Sequence, residues 1–186
     1  MTIRVAIQTL GCKLNQAESE TLAGRFVSAG CLVVKEGDEA DVYILNTCTV
    51  THIADSKSRH LLRMSRRANP RALVIATGCY DVPIGKGPGM IAGVDLIVPN
   101  TDKARLVEIV RSRIPFKASS GGFDENPRTR RFIKVQDGCS RRCAYCIVPL
   151  VRGPEKSVGA DRVIAEINGL TASGCNDTMA PCGFKA

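Results

Sequence analysis

Tryptophan is absent from this chain, and its other aromatic residues number only five phenylalanines and three tyrosines. A surface that stacks successive nucleic-acid bases on aromatic rings is therefore not expected in this part of the chain. Long apolar runs are also missing. No stretch approaches the roughly 20 residues that a membrane-spanning helix needs, so no membrane partner is expected. The opening Met1-Thr2-Ile3-Arg4-Val5 leads straight into a strand-like run, with no secretory pattern, and the expected location is cytoplasmic. Internal repeats and low-complexity segments are absent as well. Acidic residues are in deficit, 18 against 26 basic ones, for a net charge of +8. An excess of that size suits a polyanion such as nucleic acid, or simply a soluble basic surface.

Cysteine, by contrast, is plentiful: nine in 186 residues. Without an export signal, that number argues for metal or catalysis rather than for disulfide staples. Three of them form the run Cys139-Ser140-Arg141-Arg142-Cys143-Ala144-Tyr145-Cys146, with spacing C-x-x-x-C-x-x-C. Three thiolates are one ligand fewer than a closed iron–sulfur site requires. A [4Fe-4S] cluster held here keeps one iron open for a small molecule, as an open position keeps a zinc site reactive. The alternatives are a zinc site completed by a distant fourth ligand, or disulfide partners. Cysteine-rich zinc sites more often show paired C-x-x-C units.

The chain divides into short apolar strands alternating with helices. Strands are expected over 3–9, 31–34, 40–45, 72–77 and 94–98, and helices over 15–29, 53–68 and 102–113. The second element is read as capped by Asn15, with Glu18 three positions on. Residues 81–93, rich in Gly and Pro, read as loop. The pattern predicts an α/β fold with a doubly wound parallel sheet in residues 1–115. Residues 116–130 read as a linker. A strand over 132–136 and a helix over 159–172 then open a second, incomplete domain in residues 131–186. Cys12, Cys48 and Cys79 each follow the end of a predicted strand, and ligands of such sheets bind beyond the carboxyl ends of the strands. The three are expected to meet there as a second three-cysteine site, a candidate for a second [4Fe-4S] cluster. Glycines beside two of them would let the backbone approach a bulky group. The plainer alternative is buried core thiols. Cys31 is read as packing, and Cys175 and Cys182 carry no signal.

These segments together resemble the tRNA methylthiotransferases, a branch of the radical S-adenosylmethionine (SAM) enzymes. The resemblance rests on Thr9-Leu10-Gly11-Cys12-Lys13-Leu14-Asn15-Gln16-Ala17-Glu18, Asn46-Thr47-Cys48-Thr49-Val50-Thr51, Ala76-Thr77-Gly78-Cys79-Tyr80 and Gln136-Asp137-Gly138-Cys139 through Cys146. Ile147-Val148-Pro149 and Arg152-Gly153-Pro154 match as well. The form Gly11-Cys12-Lys13-Leu14-Asn15-Gln16, and Thr51 through Arg59, look like the subfamily acting on N6-threonylcarbamoyladenosine beside the tRNA anticodon. The resemblance implies a radical-SAM partial α/β barrel after the first domain, two [4Fe-4S] clusters, and SAM as cofactor. Cys139, Cys143 and Cys146 would hold the cluster that cleaves SAM to a radical, which abstracts hydrogen from C2 of the adenine. Tyr145 would lie on the SAM adenine side. Cys12, Cys48 and Cys79 would hold the cluster that supplies sulfur, and a second SAM the methyl group. Implied partners are tRNA, an electron-donor protein and a sulfur source. After Gly174 the family pattern is lost, and no second barrel strand is expected. The expectation is a shortened chain that is inactive by itself.

Arg128, Arg130, Arg131, Arg141 and Arg142 cluster around the second cysteine motif and are candidates for tRNA contact. Arg59, Arg63, Arg66 and Arg67 share one face of the predicted helix 53–68, as a phosphate-tracking stripe or a solvated face. Two other functions stay open on the residues alone: a non-catalytic iron–sulfur or zinc-binding module, and a basic RNA-binding α/β domain with inert cysteines.

Overall fold

A computed structural model of the chain describes residues 2–48, 52–79, 92–116, 122–123, 130–141, 143–172, 175 and 177–179. Its centre is a parallel sheet built from β1 (Arg4–Thr9), β2 (Leu32–Val34), β3 (Val42–Thr47), β4 (Leu73–Gly78), β5 (Leu96–Val98) and a two-residue edge strand, β6 (Gly122–Phe123). The strand order is β5-β4-β3-β1-β2-β6, and every pairing is parallel. Helices α1 (Lys13–Ser28), α2 (His52–Ala68) and α3 (Leu106–Arg113) make the crossovers.

The sheet is covered on both faces, which is why its strands read as apolar runs without alternation. On one face Val5, Val42, Ile44 and Ile75 pack with Leu22 and Phe26 of α1 and with Leu106 and Val110 of α3. On the other, Ala6, Tyr43, Leu45, Val74 and Ala76 pack with Leu62 of α2. Cys31 is fully buried in the first of these cores, as its packing role requires. The α/β doubly wound expectation is met. The strand order reverses between β1 and β3, and the crevice beyond their carboxyl ends is where such sheets take ligands.

A second unit follows. It comprises β7 (Arg130–Phe132), β8 (Gln136–Asp137), α4 (Val148–Arg152), β9 (Lys156–Ser157), α5 (Ala160–Ala172) and β10 (Asp177–Met179). It seats on α1: Lys13 Nζ stands 4.8 Å from the Phe132 ring centre, and the Phe132 amide donates to Glu20 at 3.4 Å.

Several expectations need correction. The helix predicted over 15–29 starts at Lys13, with Cys12 in extended conformation at its N-cap. Asn15 is therefore not the cap, and Glu18 closes no capping box. The segment 102–113 is split into a 3₁₀ turn, Asn100–Arg105, and the shorter α3. The single strand expected over 132–136 is two: β7, and β8 paired antiparallel with β9. The presumed linker contains β6 and the start of β7. Most consequentially, a second strand does follow α5. β10 pairs parallel with β7, in the register Asp177↔Arg130, and completes a β-α-β crossover. Its Asp-Thr-Met sequence has no apolar run to announce it, because its backbone pairing and not its side chains defines the strand. Most of the predicted loop 81–93 lies outside the described residues.

Candidate metal centre

The loops after β1, β3 and β4 carry Cys12, Cys48 and Cys79 to the crevice at the point of strand-order reversal. Cys48 and Cys79 are buried, and Cys12 is half-buried. None of the described cysteines is in a disulfide. Asn15, in the first turn of α1, stands among them. Its Nδ2 donates to the carbonyls of Leu10 at 2.7 Å and Thr47 at 2.8 Å, tying the β1 loop to the end of β3. Its Oδ1 lies 3.9 Å from the sulfur of Cys12 and 3.9 Å from that of Cys79.

Gly11 and Gly78 have φ of +115° and +99°, which L side chains rarely adopt. A Cβ at Gly11 would stand 2.8 Å from the Cβ of Cys48, and one at Gly78 would stand 2.4 Å from Asn46 Oδ1. The two glycines let the loops close on each other, Gly11 against the Cys48 side chain itself.

A buried ionic network adjoins the thiols. Glu18, one turn along α1, receives Lys103 from the 3₁₀ turn at 2.6 Å, Lys134 at 2.8 Å, and Arg152 at 3.0 Å. Arg152 and Lys134 also pair with Asp137. Asn46 accepts from Lys103 at 3.1 Å and donates to the Asn15 carbonyl at 2.8 Å. Burial pushes the Glu18 carboxyl up, but Lys103, Arg152 and Lys134 together outweigh it and hold it at about 2. Burial pulls Lys103 down, and Glu18 only partly offsets this. Burial raises the Cys79 thiol, with Arg152 opposing. For Arg152, the charges of Glu18 and Cys79 overcome burial and raise it further.

Arg152 is the residue whose role sequence reading missed. Its side chain is buried, at 4% exposure, and it belongs to α4, directly after the second cysteine motif. Its Nε donates to the Cys79 sulfur at 3.3 Å, and Nη2 donates to Asn15 Oδ1. The only available signal was its place in the matched Arg152-Gly153-Pro154 segment. Glu18 was visible too, but with a capping role it does not have.

The second cysteine motif forms a surface loop. Cys139 and Cys146 are half-buried, Cys143 is exposed, and Tyr145 is 85% exposed. The Cys139 amide donates to the Gly153 carbonyl at 3.1 Å, so the loop's two ends are held together. Among the described residues, no three His, Cys, Asp or Glu side chains are grouped to hold one metal ion.

Of the arginines proposed near this loop, Arg131 pairs with Glu20 at 4.0 Å and Arg141 is exposed. The side chains of Arg128, Arg130 and Arg142 lie outside the description, as does Cys182. On α2, Arg59, Arg63 and Arg67 are exposed. Arg66 leaves the stripe: it pairs with Asp95 and donates to the carbonyls of Pro70 and Ala72, each at 2.9 Å. An open cleft of about 300 Å³ between α1, the 3₁₀ turn and α5 is lined by Arg25, Lys103, Lys134 and Arg162 as well as Glu18 and Glu166. Its residues come from separate segments, so no local pattern marks it.

Fold and site define a doubly wound α/β domain with thiols at its ligand-binding edge, locked to a second unit that presents its own cysteine loop. Residues 4–86, which hold Cys12, Cys48 and Cys79, match the model described as uncharacterized protein family UPF0004. This segment belongs to that family, which is the N-terminal domain of the methylthiotransferases. The chain is 33% identical to the threonylcarbamoyladenosine tRNA methylthiotransferase MtaB of Aquifex aeolicus, over 95% of the chain and 47% of that protein. The protein of the same name from Bacillus subtilis is 33% identical, over 94% of the chain and 42% of its own length. The tRNA-2-methylthio-N(6)-dimethylallyladenosine synthase of Chlorobium phaeobacteroides is likewise 33% identical, over 94% and 42%. The chain spans less than half the length of these relatives.

Proposed function

We propose that this chain is the cysteine-bearing part of a cytoplasmic tRNA methylthiotransferase that modifies C2 of N6-threonylcarbamoyladenosine beside the anticodon. The observation that carries the reading is the convergence of Cys12, Cys48 and Cys79 at the sheet's switch point, with the loop of Cys139, Cys143 and Cys146 anchored beside it through Arg152. The two relatives named for threonylcarbamoyladenosine support the substrate.

The donor sets suit iron–sulfur clusters. Each is three thiols, which leaves one iron of a [4Fe-4S] cluster without a protein ligand. Thiols on separate irons need not crowd as they would around one zinc ion. When bound, the clusters and SAM supply the electron, the sulfur and the methyl group. The chain's own residues then bind and orient. Asn15 and Arg152 order the first set, and exposed Cys143 and Tyr145 leave the second loop accessible to SAM. Exposed Arg63, Arg67 and Arg141 are available to tRNA phosphates, while Arg59 is ion-paired with Asp55 on the helix surface. A reductant protein and a sulfur source complete the partners.

The test is anaerobic reconstitution with iron and sulfide, comparing the chain with its Cys139→Ala/Cys143→Ala/Cys146→Ala variant. The reading expects two clusters in the first and one in the second, a loss of roughly half the iron. Loss of all iron from the variant, or none bound by either chain, overturns the two-cluster reading. Mass spectrometry of threonylcarbamoyl-modified tRNA, after incubation with SAM, sulfide and a strong reductant, tests the reaction.

A further inference from the structure

The ionic network brackets the second cysteine motif. Lys134 and Asp137 precede Cys139, Arg152 follows Cys146, and Lys134 and Arg152 both converge on Glu18 of α1. Besides Glu18 and Asp137, Arg152 reaches Asn15 and the Cys79 sulfur, both in the first cysteine group. A second tie runs from Asn100 of the 3₁₀ turn to the Val151 carbonyl at 3.3 Å. We propose that Arg152 is a positioning residue that latches the Cys139–Cys146 loop onto the cysteine end of the sheet and shields the Cys79 sulfur.

The physical case rests on shape and burial. The planar guanidinium has five donors in a fixed fork, so one side chain satisfies four acceptors in different directions. Lysine keeps the charge but not the fork. With Arg152 in place, Cys79 is only 3% exposed. The second unit's other ties to the first domain are polar or at its edge: Lys134 to Glu18, Arg131 and the Phe132 amide to Glu20, and Asn100 to Val151. α5 buries no residue, and among the described residues the unit's buried apolar side chains are Phe132, Ile133 and Val148. The latch therefore decides how the two cysteine groups face each other. It extends the proposed two-cluster reading, but does not require bound metal.

The test uses the full, reduced, metal-free chain and its Arg152→Ala and Arg152→Lys variants. Alkylation of each cysteine is followed by peptide mass spectrometry. Exposed Cys143 serves as the fast reference and core Cys31 as the fold reference. In Arg152→Ala, Cys79 labelling relative to Cys143 should rise by roughly tenfold or more while Cys31 stays protected, because a buried ion network missing one member opens locally. Arg152→Lys should behave nearly like Arg152→Ala. Amide exchange at Cys139, bonded to Gly153, should speed up in both. Unchanged Cys79 labelling in both variants overturns the latch. Labelling of Cys31 in step with Cys79 in both variants also overturns it, since Arg152 would then support the fold at large. Failure here leaves the two-cluster reading standing, and loss of the iron result leaves the latch standing.

Discussion

Glu18 shows how one residue sets a local balance. Its carboxylate faces Lys103, Lys134 and Arg152 in a site where it is 8% exposed. Glu18→Gln would leave buried Lys103 without an anion, and Arg152 and half-buried Lys134 with only Asp137. We predict a destabilisation of about 3–5 kcal/mol, read as a lower urea midpoint at neutral pH. The pH dependence has a definite sign. Glu18 is held at about 2 when folded, against a reference of 4.5. Its stabilisation is complete above the unfolded value and is lost as pH falls from there toward the folded one. Asp137, also lowered, acts in the same direction. Between about pH 5 and pH 2 the wild-type chain should lose stability more steeply than Glu18→Gln. Parallel slopes in urea titrations would show that Glu18 is not the linked group.

At the scale of elements, α2 separates two roles that its sequence merges. Its arginines fall on one face, but Arg66 ties the helix end to the turn at Pro70 and Ala72 and to Asp95 before β5. Arg63 and Arg67 make no such ties and are exposed. Arg66→Ala should cost about 1–2 kcal/mol, mainly from the two carbonyl hydrogen bonds, since the ion pair is partly solvated. Arg63→Ala and Arg67→Ala should change stability by less than about 0.5 kcal/mol. Equal midpoints for all three in thermal unfolding would contradict the distinction. β10 makes a related point: a three-residue strand without an apolar run is visible only through its pairing with β7.

For the whole molecule, both apolar cores are drawn from residues between Ile3 and Phe116. The unit from residue 130 onward contributes short two-stranded pairings and a helix with no buried residue. A segment 1–116 is therefore expected to fold alone, as its size and double-sided core allow. A segment 130–186 is expected not to, because pairs of such short strands are marginal in water. Circular dichroism with urea titration of the two segments checks this. A cooperative transition in the second segment alone would show that it has a core of its own.

Local patterns were enough for the alternation of strands and helices, and for the placing of Cys12, Cys48 and Cys79 after strand ends. Continuous apolar runs bounded by polar turns are dictated by burial on both faces of a parallel sheet, so they are written in the chain itself. The C-x-x-x-C-x-x-C loop is likewise a matter of spacing. Tertiary structure decided what those patterns do not encode. Asn15 turned from a helix cap into a tie between two loops, Glu18 from a capping partner into the anchor of three cations, and Arg152 from a motif residue into a contact of Cys79. Each of these depends on partners 32 to 137 positions away. Side-chain charge and hydrogen bonding act through space, and only the folded sheet brings those residues within reach.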